Sequence, residues 1–368
     1  MKFDSVRFSF KGDQRGVALL MTLAFLALAV SIVLELNLRA RDALGLAAAY
    51  RDRFQMTQVA AAGVHAAMAV LAQDGSSTPT DHPKEAWALE ETWAEVVEAL
   101  SLEGIHLEVG IEDEMAKIQI NALVTFPGGH DFRPKQQRIL HNFIRRLQFA
   151  SDNEGNATEV DIVNACKDWL DSGDDEAISG LNGAESDYYS METPPIECRN
   201  GPMPDLHELL IIRGVTKGLF YGDATHAGLE KCLTVHGAIK GKDGGFFFPG
   251  RININTASEN VIAALLPPES QELAAAIVDY RDIVPPEILE STDWYRDTPG
   301  CGELVIDPNL ITVKSNFFRI KSRVTSGSLQ IITTAVVERL KDGESGRSIC
   351  RILSWKNDLQ SVESKTNF

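Results

Sequence analysis

The sequence is short of positive charge. Its 368 residues include 35 Lys and Arg against 52 Asp and Glu, which gives a formal net charge of −17 at pH 7. Proteins bind nucleic acid mainly through clustered Lys and Arg side chains that neutralise phosphates. A nucleic-acid partner is therefore not expected, whereas bound divalent cations are compatible with the excess of carboxylates.

The short motifs of common catalytic sites are also missing. The sequence contains no G-x-S-x-G elbow, no H-E-x-x-H zinc motif and no phosphate-binding P-loop. Isolated Ser, His and Asp residues are present, but they form no recognisable catalytic pattern. We therefore predict that the protein is not an enzyme.

Cysteine is scarce, with five residues and no C-x-x-C pair, so that a zinc or redox motif is unsupported. The odd number leaves at least one thiol unpaired within a monomer. Cys166 is the candidate, because it shares an apparent helical face with Val163 and Leu170. Disulfides among the other four cysteines remain open in an oxidising compartment.

Charge is absent from one long stretch near the N-terminus. No residue from Val17 to Leu34 is charged, and Glu35 ends the run. As a helix this stretch spans about 27 Å, close to the roughly 30 Å hydrocarbon core of a bilayer. The preceding residues are polar and basic. We predict a single-pass membrane helix over residues 17–36 with the N-terminus in the cytoplasm.

The junction between the basic and apolar segments reads Arg15-Gly16-Val17. An ordinary secretory signal has a shorter apolar region followed by a small-x-small cleavage site, which is missing here. A plain signal anchor is a further alternative. A basic leader ending in Gly resembles the type IV prepilin and pseudopilin class, in which a membrane peptidase cuts after the Gly and methylates the new N-terminus. This resemblance implies cleavage between Gly16 and Val17.

Most members of that class carry Glu at the fifth mature position, where this chain has Met21. In pilins this carboxylate is thought to pair with the N-terminal amine of the neighbouring subunit nearer the tip. An unpaired carboxylate in a bilayer is costly. A subunit with no neighbour above it would have no partner for the charge, so Met21 suggests a subunit at the tip. Drift in an ordinary pilin is the alternative.

The remaining pattern predicts an α+β fold in which a pilin-like long N-terminal helix packs on an antiparallel sheet. An apolar stripe from Leu46 to Leu71 continues the helix beyond the membrane. Alternating residues at 105–111 and 117–121 predict a β-hairpin, and three later runs predict a C-terminal meander. Nearly two hundred residues between them are mainly helical in pattern, which predicts a large helical domain inserted into the sheet.

The corresponding division has six segments. They are a prepilin leader at 1–16, a transmembrane helix at 17–36, a pilin-like helix and first β-hairpin at 37–121, an inserted helical domain at 122–310, a β-meander at 311–356 and a polar tail at 357–368. Within the insertion, helices are predicted from Arg133 to Phe149, from Asp205 to Ile212, from Thr256 to Pro267 and from Glu272 to Val284.

Several short motifs, taken in order, resemble the K-type minor pseudopilins of type II secretion. They are 118–123 (IQINAL), 168–171 (DWLD), 183–185 (GAE) with Tyr188 and Tyr189, 199–202 (RNGP), Glu208-Leu209, 214–216 (GVT), 252–257 (ININTA) and 315–318 (SNFF).

This resemblance implies a minor pseudopilin at the tip of the pseudopilus, needed for protein export across the outer membrane. Its implied partners are the I-type and J-type minor pseudopilins, the major pseudopilin and the prepilin peptidase. The implied location is the inner membrane, with the C-terminal domain in the periplasm. A minor pilin of a type IV pilus is the alternative.

The acidic segment from Asp168 to Asp187 contains no Lys or Arg and is the candidate metal site. Close carboxylates repel unless they are solvated or neutralised, and loops of oxygen ligands suit calcium. The candidate ligands are Asp171, Asp174, Asp175, Glu185 and Asp187. A solvated acidic loop is the alternative from the residues alone. The resemblance adds support, because K-type pseudopilins bind calcium in the inserted domain.

A third function class comes from the stretch Ile252–Arg281, which resembles a helix-hairpin-helix DNA-binding module. Such a module grips phosphate through backbone N–H groups of a Gly-rich hairpin. Here the hairpin contains Pro267 and Pro268, which lack N–H groups, and Glu269, which would repel phosphate. DNA binding is therefore the least favoured alternative.

Overall fold

The computed structural model describes residues 16–100, 102–126, 128–129, 131–150, 157–172, 178–180, 182–223, 227–241, 244–343 and 346–361. The α-helices are α1 Val17–Ser77, α2 Glu90–Leu100, α3 Pro134–Ala150, α4 Glu159–Leu170, α5 Ser186–Ser190, α6 Lys217–Tyr221, α7 Leu229–Cys232, α8 Glu259–Leu265 and α9 Ala274–Ile283. The strands are β1 His106–Asp113, β2 Ile118–Gln119, β3 Leu233–Thr234, β4 Ile239–Lys240, β5 Phe246–Phe247, β6 Ile252–Asn253, β7 Ile311–Thr312, β8 Phe317–Ser326, β9 Leu329–Lys341 and β10 Ser348–Ser361.

The chain divides into two compact units, Met1–Gln58 and Val59–Phe368, with the division falling inside α1. In the first unit, α1 begins at Val17, directly after Gly16. Its apolar stretch is long and hydrophobic enough to cross a membrane, and its side chains are not buried within the protein. This helix therefore fits a transmembrane segment.

In the second unit, an antiparallel sheet has the strand order β1-β8-β9-β10. The end of α1 packs on it through Val64, Ala67 and Leu71, which share a buried core with Phe318 and Ile320. The chain between β1 and β8 is mainly helical. The predicted α+β, pilin-like fold with a helical insertion is confirmed.

Gly63 explains how closely α1 approaches the sheet. A Cβ atom at this position would lie 2.5 Å from Ser322 Oγ and 3.0 Å from Val109 Cγ2. Glycine therefore removes the side chain at the point where the helix crosses β1 and β8, although glycine inside a helix costs up to about 1 kcal/mol relative to alanine.

The insertion has a hydrophobic core of its own. α3, α4 and α8 contribute Phe143, Leu170 and Ile262, and Trp294 and Tyr189 fill the remaining space. α3 contacts both α4 and α8. The core side chains of α3 recur at the three- and four-residue spacing that the sequence shows for this helix, so the prediction of Arg133–Phe149 is confirmed within a residue.

The predicted hairpin between residues 105–111 and 117–121 is wrong. β1 pairs with β8, and β2 pairs in parallel with β3, a strand of the insertion. Between them Asp113 caps a short 3₁₀ turn at Glu114–Ala116 by accepting from Met115 N. Alternating apolar and polar residues indicate that one face of a strand is buried, but they do not identify the partner strand.

The predicted polar tail from residue 357 is also partly wrong, because β10 continues to Ser361. Residues 362–368 lie outside the described part of the chain. β10 is the edge strand of the sheet, and its last residues are mostly exposed. The polar composition of these residues is also typical of a disordered tail, which explains the wrong prediction. In the structure they belong to the sheet, where Asn357 accepts a hydrogen bond from Thr333 Oγ1 on β9.

Two predicted helix starts differ in detail. Asp205 caps a 3₁₀ helix, Leu206–Leu210, by accepting from His207 N rather than opening an α-helix to Ile212. α8 has Ser258 at its N-cap position, and Thr256 instead donates its hydroxyl to Asp113 Oδ2. A tertiary partner has replaced the local cap that the spacing predicted.

Candidate functional site

Asp168, in the last turn of α4, is the first carboxylate of the acidic segment. α4 opens with a capping box in which Thr158 and Asp161 satisfy each other's backbone N–H groups. Asp168 is fully buried and accepts from Ser179 N at 3.1 Å and from Ala184 N at 2.8 Å. The carboxylate therefore holds the described ends of the following loop. Burial raises the pKa of Asp168, against these hydrogen bonds and Lys167, which lower it.

Glycine at position 183 makes this approach possible. A Cβ atom there would lie 2.0 Å from Asp168 Oδ2 and 2.8 Å from Ser179 N. Contacts this short do not occur between real atoms, so a larger side chain would displace the Asp168 carboxylate or the loop. The glycine of the 183–185 motif is therefore part of the carboxylate site.

Three buried carboxylates meet in this site. One oxygen atom each from Asp168, Asp171 and Glu185 lies within 4.8 Å of the others. Asp171 Oδ2 accepts from Lys167 Nζ at 2.6 Å, while Asp171 Oδ1 is buried and accepts no hydrogen bond from a described residue. Buried, closely spaced carboxylates with an unsatisfied oxygen match the donor set that calcium prefers.

The structure treats the predicted calcium ligands differently. Asp171 and Glu185 come together, whereas Asp187 lies exposed in α5 and is not in the group. Asp174 and Asp175 lie outside the described residues. Asp168, which is not among the predicted ligands, belongs to the group. Calcium binding itself stays a prediction.

The motifs that carry the family resemblance converge beside this group. Trp169, next to Asp168, donates from Nε1 to Glu208 Oε2 at 3.1 Å, and Arg199 donates from Nε to the same oxygen at 2.9 Å. The Trp169 ring packs edge-on against Tyr189 with centroids 4.9 Å apart. Residues from four separate motifs therefore form one network, a relationship that spacing along the chain does not reveal.

A second set of contacts fixes the loop from the other side. Arg213 donates from Nη1 to Gly183 O at 3.2 Å, and its guanidinium lies over the Tyr188 ring at 5.0 Å. Gly214 follows with φ of 86°, in the region that favours glycine. The described part of the site is therefore held against the core of the insertion.

All five cysteines are free thiols in the structure, and Cys350 is the least buried of them. Burial raises the pKa of Cys166 to about 12, and burial raises the pKa of Cys350 to about 11. Such thiols are protonated at neutral pH and are poor nucleophiles.

The predicted processing and assembly residues lie at the start of α1. Gly16 ends the segment before the helix, and Val17 is its first residue. Val17 and Met21 are each more than half exposed. The apolar surface of this part of the helix is thus available to lipid or to another helix, while cleavage after Gly16 stays a prediction.

The family model that matches this chain is described as type II secretion system protein K and covers residues 116–221. The chain is 26% identical over 341 residues to the type II secretion system protein K of Pseudomonas aeruginosa, covering 90% of each. It is also 26% identical to the type II secretion system protein K of Klebsiella pneumoniae, covering 56% of this chain and 60% of that protein.

A similar fold occurs in the crystal structure of the GspK-GspI-GspJ complex from enterotoxigenic Escherichia coli. The match has a TM-score of 0.60 and 18% identity, and it covers 84% of this chain and 98% of the other. The predicted resemblance is confirmed. None of these relatives is described as a type IV pilin or as a DNA-binding protein.

Proposed function

The chain belongs to the type II secretion system protein K family, and from this premise we propose that it is the minor pseudopilin at the tip of the pseudopilus. In this position it serves protein export across the outer membrane. Its role is structural: it begins or caps a filament and makes or breaks no covalent bond in the exported protein.

The observation that carries the proposal is the uncharged, exposed surface at the start of α1. Met21 stands where most pilin-like subunits carry Glu, and it is 59% exposed. A carboxylate in lipid or in a helix bundle needs a partner charge. Methionine needs none, which suits a subunit that has no neighbour on its outer side.

The proposed partners are the I-type and J-type minor pseudopilins, beside the major pseudopilin. The related fold from enterotoxigenic Escherichia coli was solved in a complex of this composition. The apolar part of α1 supplies a surface for neighbouring helices, since packing between helices in a membrane depends on van der Waals contact and close approach. We place the helix in the inner membrane as a single span and the C-terminal domain in the periplasm.

Processing by the prepilin peptidase is tested by a matched pair of glycine variants. A Cβ atom at Gly16 or at Gly45 meets no described atom within 4 Å, so that valine at either position is sterically tolerated within this chain. We expect Gly16→Val to retain its N-terminal leader and Gly45→Val to be cleaved. N-terminal sequencing and intact mass of the membrane-purified proteins measure this. Normal maturation of Gly16→Val at Val17 would refute the assignment.

The tip position is tested by labelling isolated pseudopili with an antibody against this chain. We expect label at one end of each filament. Met21→Glu should reduce the amounts of I-type and J-type subunits that co-purify, whereas Met21→Leu should not. Label along the filament length, or equal recovery with both variants, would contradict the tip role.

We also propose that Asp168, Asp171 and Glu185 hold a calcium ion. Their buried oxygens, and the unsatisfied Asp171 Oδ1 in particular, support it. Calcium would neutralise the carboxylates and supply a structural link between α4 and the residues before α5.

A further inference from the structure

A second group of buried carboxylates lies in the second unit, where α1 ends. Asp74 is in the last turn of α1, and Asp81 and Glu85 belong to the segment that leads to α2. One oxygen of each lies within 4.8 Å of the others, and all three residues are at least nine-tenths buried. Nothing in the proposed secretion function requires this group.

The positive charge beside the group is smaller than its negative charge. Arg339, on β9, donates from Nη1 to Asp74 Oδ2 at 2.9 Å and from Nη2 to Asp81 Oδ1. Lys84 is directed elsewhere, since its Nζ donates to the carbonyl oxygens of Arg281 and Val284. Among the described residues, three carboxylates therefore face one guanidinium. With all three carboxyl groups ionised, two negative charges are left in a buried site, where unpaired charge is strongly unfavourable.

One oxygen of the group has no hydrogen-bond donor. Glu85 Oε2 accepts from His82 N at 3.1 Å and from Trp87 Nε1 at 2.7 Å. Glu85 Oε1 is equally buried and accepts no hydrogen bond from any residue that the structure describes. A buried carboxylate oxygen without a donor is the kind of exception that an ion explains.

His82 does not offer a nitrogen ligand. Its Nδ1 accepts from Lys84 N at 3.2 Å, so the ring proton sits on Nε2, which faces Glu85 Oε1 at 3.7 Å. Thr78 Oγ1 lies 3.5 Å from Asp74 Oδ1 and adds a further oxygen. The available donors are therefore oxygens only, which favours a hard cation over a transition metal.

We propose that Asp74, Asp81 and Glu85 bind one divalent cation of the calcium type. Two positive charges cancel the excess negative charge, and three carboxylates with flexible geometry suit calcium better than the strict octahedron of magnesium. The bound ion would join the last turn of α1 to the segment before α2, beside the guanidinium of Arg339 on β9.

Terbium, which replaces calcium and emits when a nearby tryptophan is excited, tests the site directly, because the Trp87 indole is hydrogen-bonded to Glu85. The experiment uses the full-length chain in detergent with Asp171→Asn. This substitution removes a proposed ligand of the Asp168 group, so that binding at the Asp74, Asp81 and Glu85 group is measured by itself. In this background we expect terbium emission that calcium displaces. Trp87→Phe should abolish most of it, and Glu85→Gln should weaken calcium binding by about tenfold or more, as changes at metal sites do.

Glu90→Gln is the matched control, because it makes the same chemical change at an exposed residue nearby. Glu85→Gln removes a buried like charge, so its melting temperature in chelator should equal or exceed that of the parent, while its increase on adding calcium should be lost. Asp74→Asn serves as the second variant should Glu85→Gln not fold. Calcium affinity that is unchanged in Glu85→Gln overturns the proposal and leaves protons as the neutralising species.

Discussion

Asn253 donates from its side-chain amide to Asp113 Oδ2 across 3.0 Å. Asn253 lies on β6 in the insertion, and Asp113 is the last residue of β1. The same amide lies 2.9 Å from Ser315 Oγ and 3.1 Å from Asp81 O. One buried amide therefore joins the insertion to the sheet at the point where the chain leaves the sheet and where it returns.

Replacing this amide should weaken the junction. Asn253→Ala leaves the buried Asp81 carbonyl oxygen without this donor and removes one of the three donors to Asp113 Oδ2. The change should cost about 1–3 kcal/mol of unfolding free energy. Asn309→Ala is the control, because that residue is exposed and its side-chain amide donates to nearby Asp307. Denaturant unfolding of the full-length chain in detergent measures both. Equal stability of the two variants would contradict a structural role for Asn253.

The stability of the junction should depend on pH through Asp113. Burial, and to a smaller extent the charge of Asp81, raise the pKa of Asp113 to about 6, although hydrogen bonds from Ser315 and Thr256 lower it. The folded state then binds a proton that the unfolded state has released above pH 4. Stability from this group therefore increases as the pH falls from 7 to 5, by roughly 1 kcal/mol.

Asp113→Asn mimics the protonated acid and removes this dependence. The measurement is the difference in unfolding free energy between wild type and Asp113→Asn at pH 7 and at pH 5. We expect the wild type to gain relative to the variant on acidification. A wild type that loses stability relative to the variant over this range would show that the sign is wrong.

Glu114 should behave in the opposite way. Burial acts to raise the pKa of Glu114, but the positive charges of Lys117 and Arg319 outweigh burial and lower this pKa to about 2. Lys117 Nζ lies 3.1 Å from Glu114 Oε1, and Thr234 donates its hydroxyl to Oε2. The stability that this carboxylate contributes is present above the unfolded pKa of about 4.3 and is lost as the pH falls towards 2.

Glu114→Gln should cost about 3 kcal/mol, because it leaves Arg319 and Lys117 without their buried partner. Glu108→Gln is the matched control on the same strand region, since the Glu108–Arg323 pair is exposed and should contribute at most about 1 kcal/mol. Unfolding at pH 7 compares the two. Similar losses would mean that the burial of Glu114 has no energetic consequence.

Local patterns predicted much of this architecture. The start of α1, the bounds of α3 and the three C-terminal strands follow from charge boundaries and from the periodicity of buried side chains, which are properties of short stretches. The partner of β1 could not be predicted in this way. Ile111 lies opposite Ile320 because the chain passes through the whole insertion and then returns to the same sheet.

The two carboxylate groups also differ in whether the local sequence predicts them. Asp171 and Glu185 were predictable because they lie in one acidic stretch. The group of Asp74, Asp81 and Glu85 carries no such signal, since its charge becomes unusual only when the side chains are buried around Arg339. Likewise, the bond from Thr256 to Asp113 replaced a local cap that the spacing predicted.

Calcium removal should lower the melting temperature of the wild-type chain, because the carboxylates of Asp168, Asp171 and Glu185 would then repel one another. In a Glu85→Gln background, which removes the contribution of the other proposed site, Asp171→Asn should abolish this response. Asp187→Asn is the control, since Asp187 is exposed and outside the group. Thermal unfolding with calcium and with chelator measures the response. If both variants lose it equally, the larger predicted ligand set that includes Asp187 is favoured instead.

Gly183→Ala should damage the calcium site without removing a ligand. Its Cβ atom would lie 2.0 Å from Asp168 Oδ2, so the carboxylate or the loop must shift. Overpacking of this kind costs about 1–3 kcal/mol, and displacement of a ligand group should weaken calcium binding by about tenfold or more. Gly201→Ala is the control, because the nearest atom to its Cβ would be Arg199 O at 3.7 Å. Calorimetric titration of both variants with calcium decides the matter, and unchanged affinity in Gly183→Ala would place the ion away from Asp168.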